Sequence, residues 1–214
     1  MSLSKQIIPH TVLMDEFDIT NLVNFRNDQK DSLKERGIKL TYMAFIIKAV
    51  TLSLEAYPIF NASFDEQTEE IVYKHDINVG IAVDTPEGLM VPNIKRANTK
   101  GILTLASELE NLSQKAKDRS ITLDEMQNGT FTITNYGAFD STYGTPIIKH
   151  PELAIIGIGK ISKKPIVVDD KIVVGNVLPI SLAVDHRIID GADAGRFIMK
   201  FKEYLRDPML LLLS

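Results

Sequence analysis

The sequence predicts an α/β fold, and three observations carry that prediction. Strand-like stretches, alternating or rich in β-branched residues, recur at 78–84, 130–134 and 179–184. Helical patterns run at 41–57, 101–117 and 192–206. Strands and helices are interleaved along the chain rather than grouped by kind, as in a sheet covered by helices.

The bulk properties fit. A chain of 214 residues holds one large domain with a real core, or two small ones. The net charge of -4 gives no nucleic-acid footprint. There is no cysteine, so disulfides, thiolate nucleophiles and Cys-ligated metals are excluded. The first ten residues lack a charged segment leading into an apolar one, so no signal peptide is expected. No apolar run approaches the roughly 20 residues of a membrane span. The sequons at Asn61, Asn111 and Asn128 are expected to be chance.

In chain order, 7–19 reads as a strand, with His10 beside Pro9 as a structural histidine. Thr20 is the expected N-cap of a helix over 21–36, and Gly37 its stop. Leu22, Phe25 and Leu33 form its apolar stripe; Arg26 lies on the same helix. The helix at 41–57 is apolar on most faces and should be heavily buried, and Pro58 ends it. Short strands follow near 59–64 and 70–73, with His75 exposed in the next connection. The segment 78–84 is a strand, Thr85-Pro86-Glu87-Gly88 a turn, and 89–94 extended chain again. Residues 101–117 form an amphipathic helix, and 120–124 introduce a short helical turn. The strand at 130–134 empties into a glycine-containing loop. His150 is expected to be structural. Strands at 153–158, 164–168, 171–174 and 177–184 follow, with Asp169-Asp170 as a hairpin turn. After the helix at 192–206 the chain closes on a leucine run, which should be buried against a neighbour.

Two stretches point to chemistry. The strand at 179–184 delivers Asp185-His186-Arg187, then two apolar residues, then Asp190 and Gly191. Imidazole can take and return a proton near neutral pH, and a thiol or hydroxyl is a weak nucleophile until a base removes its proton. Asp185 is a poor partner for His186, because neighbours on a strand point to opposite faces. Asp190 can serve if the chain turns, and Gly191 permits a turn or a close approach. A strand-end histidine with only local hydrogen bonds is the competing reading. The second stretch is Phe131-Thr132-Ile133-Thr134-Asn135-Tyr136-Gly137. It lacks the spacing of a phosphate-binding loop. Gly157-Ile158-Gly159 is no dinucleotide fingerprint either, since Ser162 holds the third glycine position and Pro165 follows.

The wording of these stretches goes further. AVDHRIIDG (183–191) resembles the DHRxxDG signature of the dihydrolipoamide acyltransferases, the core components of 2-oxo acid dehydrogenase complexes. The looser HxxxDG pattern also occurs in chloramphenicol acetyltransferase and related CoA-dependent enzymes. VGIAVDTPEGLMVPNIKRA resembles the family's AVxTPxGLxVPVI block, and FTITNYG its FT[IL][ST]NxG segment. The resemblance covers nearly the whole chain. It implies a two-layer mixed-sheet sandwich of the chloramphenicol acetyltransferase-like type, with 1–214 as a single acyltransferase catalytic domain. The reaction it implies moves an acyl group between a dihydrolipoyl thiol and coenzyme A. His186 would be the general base, Thr134 the donor to the oxyanion, and Asp190 the group that holds the loop or the imidazole. Asn135, Gly137 and Gly191 would shape their loops. By analogy with relatives of this fold, Arg26 is a candidate partner of Asp190.

The resemblance also implies that coenzyme A is a substrate, that a lipoyl domain outside this chain supplies the lipoyl group, and that no metal takes part. It implies homotrimers, with His186 and Thr134 meeting across a subunit interface, built into a cubic or dodecahedral core. The 2-oxo acid dehydrogenase and dihydrolipoamide dehydrogenase components would be partners. The location would be cytoplasmic, or the mitochondrial matrix in a eukaryote. No lipoyl or peripheral-subunit-binding domain is seen, and the leading helix is expected to be truncated. Asp170-Lys171 is similar to a lipoylated Asp-Lys, but too few strands surround it. Thr134 leans towards succinyl, and the block at 144–161 towards pyruvate or branched-chain complexes; acetyl or branched-chain acyl is favoured. The alternatives are another HxxxDG CoA-dependent acetyltransferase, a non-catalytic assembly scaffold, or a His/Asp metal hydrolase. The last is disfavoured because His10, His75 and His150 show no ligand spacing.

Overall fold

At the centre of the molecule is a mixed sheet. The structure, a computed structural model, describes residues 1–86 and 88–213. The sheet is built from β1 (His10–Asp18), β4 (Val79–Ile81), β7 (Asn93–Ile94), β8 (Phe131–Asn135), β9 (Ala154–Ile158), β10 (Ser162–Val168) and β11 (Lys171–Asp185). Its order is β1-β11-β9-β8-β4-β7, with β10 paired to β11. The pairs β8–β9 and β8–β4 are parallel and the rest antiparallel. Two small hairpins stand apart: β2 (Ala62–Asp65) with β3 (Glu70–Tyr73), and β5 (Val83–Thr85) with β6 (Gly88–Met90).

The helices are α1 (Ser2–Ile7), α2 (Thr20–Glu35), α3 (Tyr42–Ala56), α4 (Ile102–Lys117), α5 (Leu123–Met126), α6 (Gly191–Arg206) and α7 (Pro208–Leu212). The α3 helix is buried from Ala44 to Leu54 between α4 and α6. Its polar residues are accommodated: the Thr51 and Ser53 hydroxyls donate to the Ile47 and Ala49 carbonyls at 2.7 Å each. Helix α6 turns Ala194, Phe197, Ile198, Phe201 and Leu205 inward, the i, i+3, i+4 spacing of an amphipathic helix. Phe197 stacks on Phe60 and packs against Phe131, with centroids 4.3 and 5.9 Å away. One continuous core therefore joins sheet and helices, which makes the two layers.

Several expectations change. The first strand begins at His10 rather than residue 7, because Ser2–Ile7 is helical. His10 is structural: Nδ1 donates to the Ile8 carbonyl at 2.9 Å, and Nε2 accepts the Ile148 amide at 3.0 Å. Thr20 is the first residue of α2, not its cap; its hydroxyl donates to Asp18 and accepts the Asn176 amide at 2.8 Å. The strand expected at 78–84 divides at Ala82, whose amide donates to the Ile133 carbonyl at 2.9 Å before the chain leaves for the β5–β6 hairpin. Of the predicted turn there, Glu87 lies outside the described residues; Gly88 takes a φ of 122°, which suits glycine. The strands expected at 171–174 and 177–184 are one, because β10 pairs it through 171–177 and β1 through 177–185. Of the closing leucines, Leu211 is buried within the chain and Leu213 is 81% exposed. Among the described residues, no helix is long and apolar enough to cross a membrane.

Candidate active site

The end of β11 is built to hold a turn rigidly. Asp185 is buried, and a buried carboxylate needs a partner. Arg187 supplies one. Its Nε and Nη2 donate to Asp185 Oδ1 and Oδ2 at 3.0 and 2.7 Å, a two-pronged pair. Its Nη1 reaches Glu66 Oε1 at 3.0 Å, and its guanidinium lies 5.1 Å over the Phe64 ring. The paired carboxylates raise the Arg187 pKa, that of Asp185 foremost. The turn closes on the Asp185 carbonyl, which accepts the amides of Ile188 and Ile189 at 3.1 and 2.9 Å. Ile189 is fully buried beneath it. Between these anchors His186 is exposed, with its own amide donating to the Pro9 carbonyl at 3.1 Å.

Asp190 caps α6: its Oδ1 accepts the Asp193 amide at 2.8 Å. That amide, above all, holds the Asp190 carboxyl below the usual carboxylate range; the Ala192 amide, Arg196 and His186 add to it. Arg26 does not pair with Asp190 within the chain. Its Nε donates to the Leu40 carbonyl at 3.0 Å and its guanidinium lies 5.1 Å over Tyr42, so it ties the first half of α2 to the start of α3. Gly191 meets neither reason for a glycine: a Cβ there finds nothing within 4 Å, and its φ is not left-handed.

The second group lies at the C-terminal end of β8. Thr134 is half-buried and borders both a cleft of about 940 Å³ and a smaller cavity of about 160 Å³. The cleft is also lined by Tyr42 at the start of α3, Leu109 of α4, and Lys160. Asn135 pairs with Ile158 and lines the cleft. Gly137 is needed where it stands, since a Cβ would come within 2.6 Å of the Gly159 carbonyl carbon and oxygen.

One chain does not bring the two groups together. Thr134 pairs with Gly157, and Gly157 with Ser181. His186 is five residues beyond Ser181 and two strands away from β8. With about 3.3 Å per residue and about 4.8 Å per strand, the separation is on the order of 15–20 Å. Among the described residues, no cluster of three or more His, Asp or Glu is arranged to hold a metal. Sequence reasoning does not single out the Asp185–Arg187 pair, because Arg187 lies in the turn beyond β11 and meets Asp185 through that turn. Glu152, a buried carboxyl beside β8, was not foreseen at all; a glutamate after a proline in a loop reads as surface.

The model of the 2-oxoacid dehydrogenases acyltransferase (catalytic domain) family matches residues 1–213. The dihydrolipoyllysine-residue acetyltransferase component of the pyruvate dehydrogenase complex of Acholeplasma laidlawii is 56% identical over 214 residues, covering 100% of this chain and 39% of that protein. The Bacillus subtilis (strain 168) protein of the same description is 44% identical over 211 residues, covering 99% and 48%. This chain thus spans less than half the length of these curated relatives. Among solved structures, one comes from investigations on the role of a serine, a histidine and an asparagine in the catalytic mechanism of Azotobacter vinelandii dihydrolipoamide acetyltransferase. It superposes with a TM-score of 0.94 at 37% identity, covering 99% of this chain and 87% of that one. The cubic core of a pyruvate dehydrogenase multienzyme complex gives 0.94 at 38%, with the same coverage. Chloramphenicol acetyltransferase gives 0.56 at 13%, covering 95% and 92%, and so shares the fold.

Proposed function

Because the chain belongs to the 2-oxoacid dehydrogenases acyltransferase (catalytic domain) family, we propose that it transfers an acetyl group between a dihydrolipoyl thiol and coenzyme A. The observation that supports this reading is the presence of two separate groups at opposite ends of one sheet. One is an exposed histidine on a braced turn; the other is a threonine hydroxyl at the junction of two cavities. Each lacks what the other has, and a neighbouring copy can supply it.

In this reading His186 of one subunit takes the proton of the attacking thiol. A thiol with a pKa near roughly 8.5 is only slightly ionised at neutral pH, so a positioned base accelerates the attack. Thr134 of the next subunit donates to the oxygen of the thioester carbonyl as it becomes an anion. Asp190 is committed to the α6 cap, so it steadies the turn and places a negative charge near the imidazole rather than relaying a proton. Both thiols enter one site from opposite sides; the tetrahedral intermediate collapses by breaking the original C–S bond, the departing thiolate takes the proton from His186, and no acyl-enzyme forms. Two observations support the assignment. The serine, histidine and asparagine studied in the Azotobacter protein stand at the same sequence separations as Thr134, His186 and Asp190. The two cavities that meet at Thr134 offer two approaches.

The choice of acetyl over branched-chain or succinyl rests on relatives named as acetyltransferases of pyruvate dehydrogenase. The cubic core among the structural neighbours supports a trimer-based assembly, in which the lipoyl group arrives on a separate domain and the dehydrogenase components are partners. The test is transfer to dihydrolipoamide from acetyl-, isobutyryl- and succinyl-CoA. The expected order of kcat/KM puts acetyl first by about tenfold or more, since extra or missing methylenes and a stray carboxylate discriminate at that scale. Preference for succinyl-CoA would overturn the acetyl assignment, and inactivity with all three in an assembled protein would favour a scaffold.

A further inference from the structure

Glu152 is 3% exposed, in the loop before β9. Its Oε2 accepts the Thr132 hydroxyl at 2.6 Å. Among the described residues its Oε1 has no hydrogen-bond partner, and neither has the Oδ1 of Asn93 on β7, itself 2% exposed. The two orphan acceptors are neighbours beside Gly129: a Cβ placed there would collide with Asn93 Oδ1 and lie 3.1 Å from Glu152 Oε1. The orientation of Asn93 is fixed, because its Nδ2 donates both protons, to the Glu125 and Gln127 carbonyls at 3.2 Å each. The Thr132 hydroxyl has one proton and spends it on Oε2. Two neighbouring buried acceptors without a donor are costly, and the carboxyl itself can supply the proton.

We infer that Glu152 is held as a neutral carboxylic acid that donates its proton to Asn93 Oδ1, and that this link makes it a positioning residue for Thr134. The chain Asn93–Glu152–Thr132 ties β7, the loop before β9 and β8 together. Thr132 and Thr134 are i and i+2 on β8, so their side chains share a face, and both border the smaller cavity. Pinning the first hydroxyl sets the strand that presents the second. When the proton leaves, two acceptors repel and the Thr132 anchor shifts. The positioning role rests on the acyl-transfer reading; the proton does not.

The electrostatic surroundings agree. Burial is the largest influence on Glu152 and raises its pKa from 4.5 to about 7, against the Thr132 hydrogen bond and the charge of Lys149. Lys149 and His150 precede it in its own loop. Asn93, Thr132, Gly129 and Ser63, which bridges to the Glu152 backbone, are uncharged. On the elements beside Asn93, Lys95 donates to the Gln127 carbonyl and Glu125 is paired with Lys115 at 2.6 Å. The acid form is therefore lost as pH rises through about 7.

Glu152→Gln tests this, because an amide reproduces the neutral acid: its nitrogen donates to Asn93 and its oxygen accepts from Thr132. In the assembled protein, the ratio of variant to wild-type kcat should rise about tenfold from about pH 6 to about pH 8.5, with KM little changed. The ratio cancels the titration of the base. An infrared difference spectrum at about pH 6 should show a protonated carboxyl band in the wild type that is absent from the variant. A flat ratio would overturn the positioning role, and an unchanged band would overturn the proton. A wild type without transferase activity would overturn the acyl-transfer reading instead, and the infrared band would still decide the proton.

Discussion

Replacing His186 with alanine is expected to lower kcat for acyl transfer by about 10²–10⁴-fold, the usual contribution of a positioned general base, while leaving stability within about 0.5 kcal/mol of the wild type. The two halves of that expectation come from one observation. The His186 side chain is exposed, and the contact that holds the residue is its backbone amide on the Pro9 carbonyl, which alanine keeps. The turn around it is braced by Asp185, Arg187 and Ile189, none of which the change touches. Rates over a range of pH with matched urea unfolding check both halves. A variant that keeps most of its activity contradicts the base assignment; one that unfolds shows that the histidine was structural.

Arg187→Ala is expected to cost about 3–5 kcal/mol of stability, the price of leaving a buried carboxylate without its partner. Asp185 is 1% exposed and takes three donors from Arg187, including its backbone amide at 3.1 Å. The two side-chain donors go with the substitution. The outer contact with Glu66 is a different case, being partly exposed on both sides, and its removal should cost about 1 kcal/mol or less. Comparing Arg187→Ala with Glu66→Ala by urea unfolding separates the two. Equal and small losses would mean that the pair is solvated and the turn is held by its backbone alone. A large loss for Arg187 with transfer falling in parallel would show that this motif residue acts through the fold.

The sequence made the outer form of this domain readable where periodicity and punctuation agree. The stretch at 41–57 is so apolar that a buried helix was the natural reading, and α3 is that helix. The α6 pattern and the strands around Thr134 and Asp185 are equally clear: α6 buries one stripe, and the strands bury residues 131–133 and 177–185 on both faces. Where pairing decides, the pattern was silent. Residues 78–84 alternate as one strand, but Ala82 bonds to Ile133 and the chain departs; β11 runs through Gly175 because β10 pairs it there, opposite Lys164, before β1 takes over at Val177. The site divided in the same way. His186, Asp190 and Thr134 can be singled out as candidates from motif and chemistry. The buried network of Asn93, Thr132 and Glu152 was not, because nothing in a loop glutamate's sequence announces that three elements will close over it. Arg26 was expected opposite Asp190; within the chain its Nε donates to the Leu40 carbonyl instead, a contact set by how α2 packs against the segment before α3.

If the site is assembled from two copies, His186→Ala and Thr134→Ala should each be inactive alone and active together. Hybrid assemblies, co-expressed with two different tags and purified through both, decide this. Every mixed cyclic trimer has one of its three interfaces with an intact histidine facing an intact threonine, so hybrids purified through both tags should recover about a third of wild-type transfer. Hybrids as inactive as either parent, with mixing verified by mass spectrometry, would mean that the two residues do not serve one site across an interface.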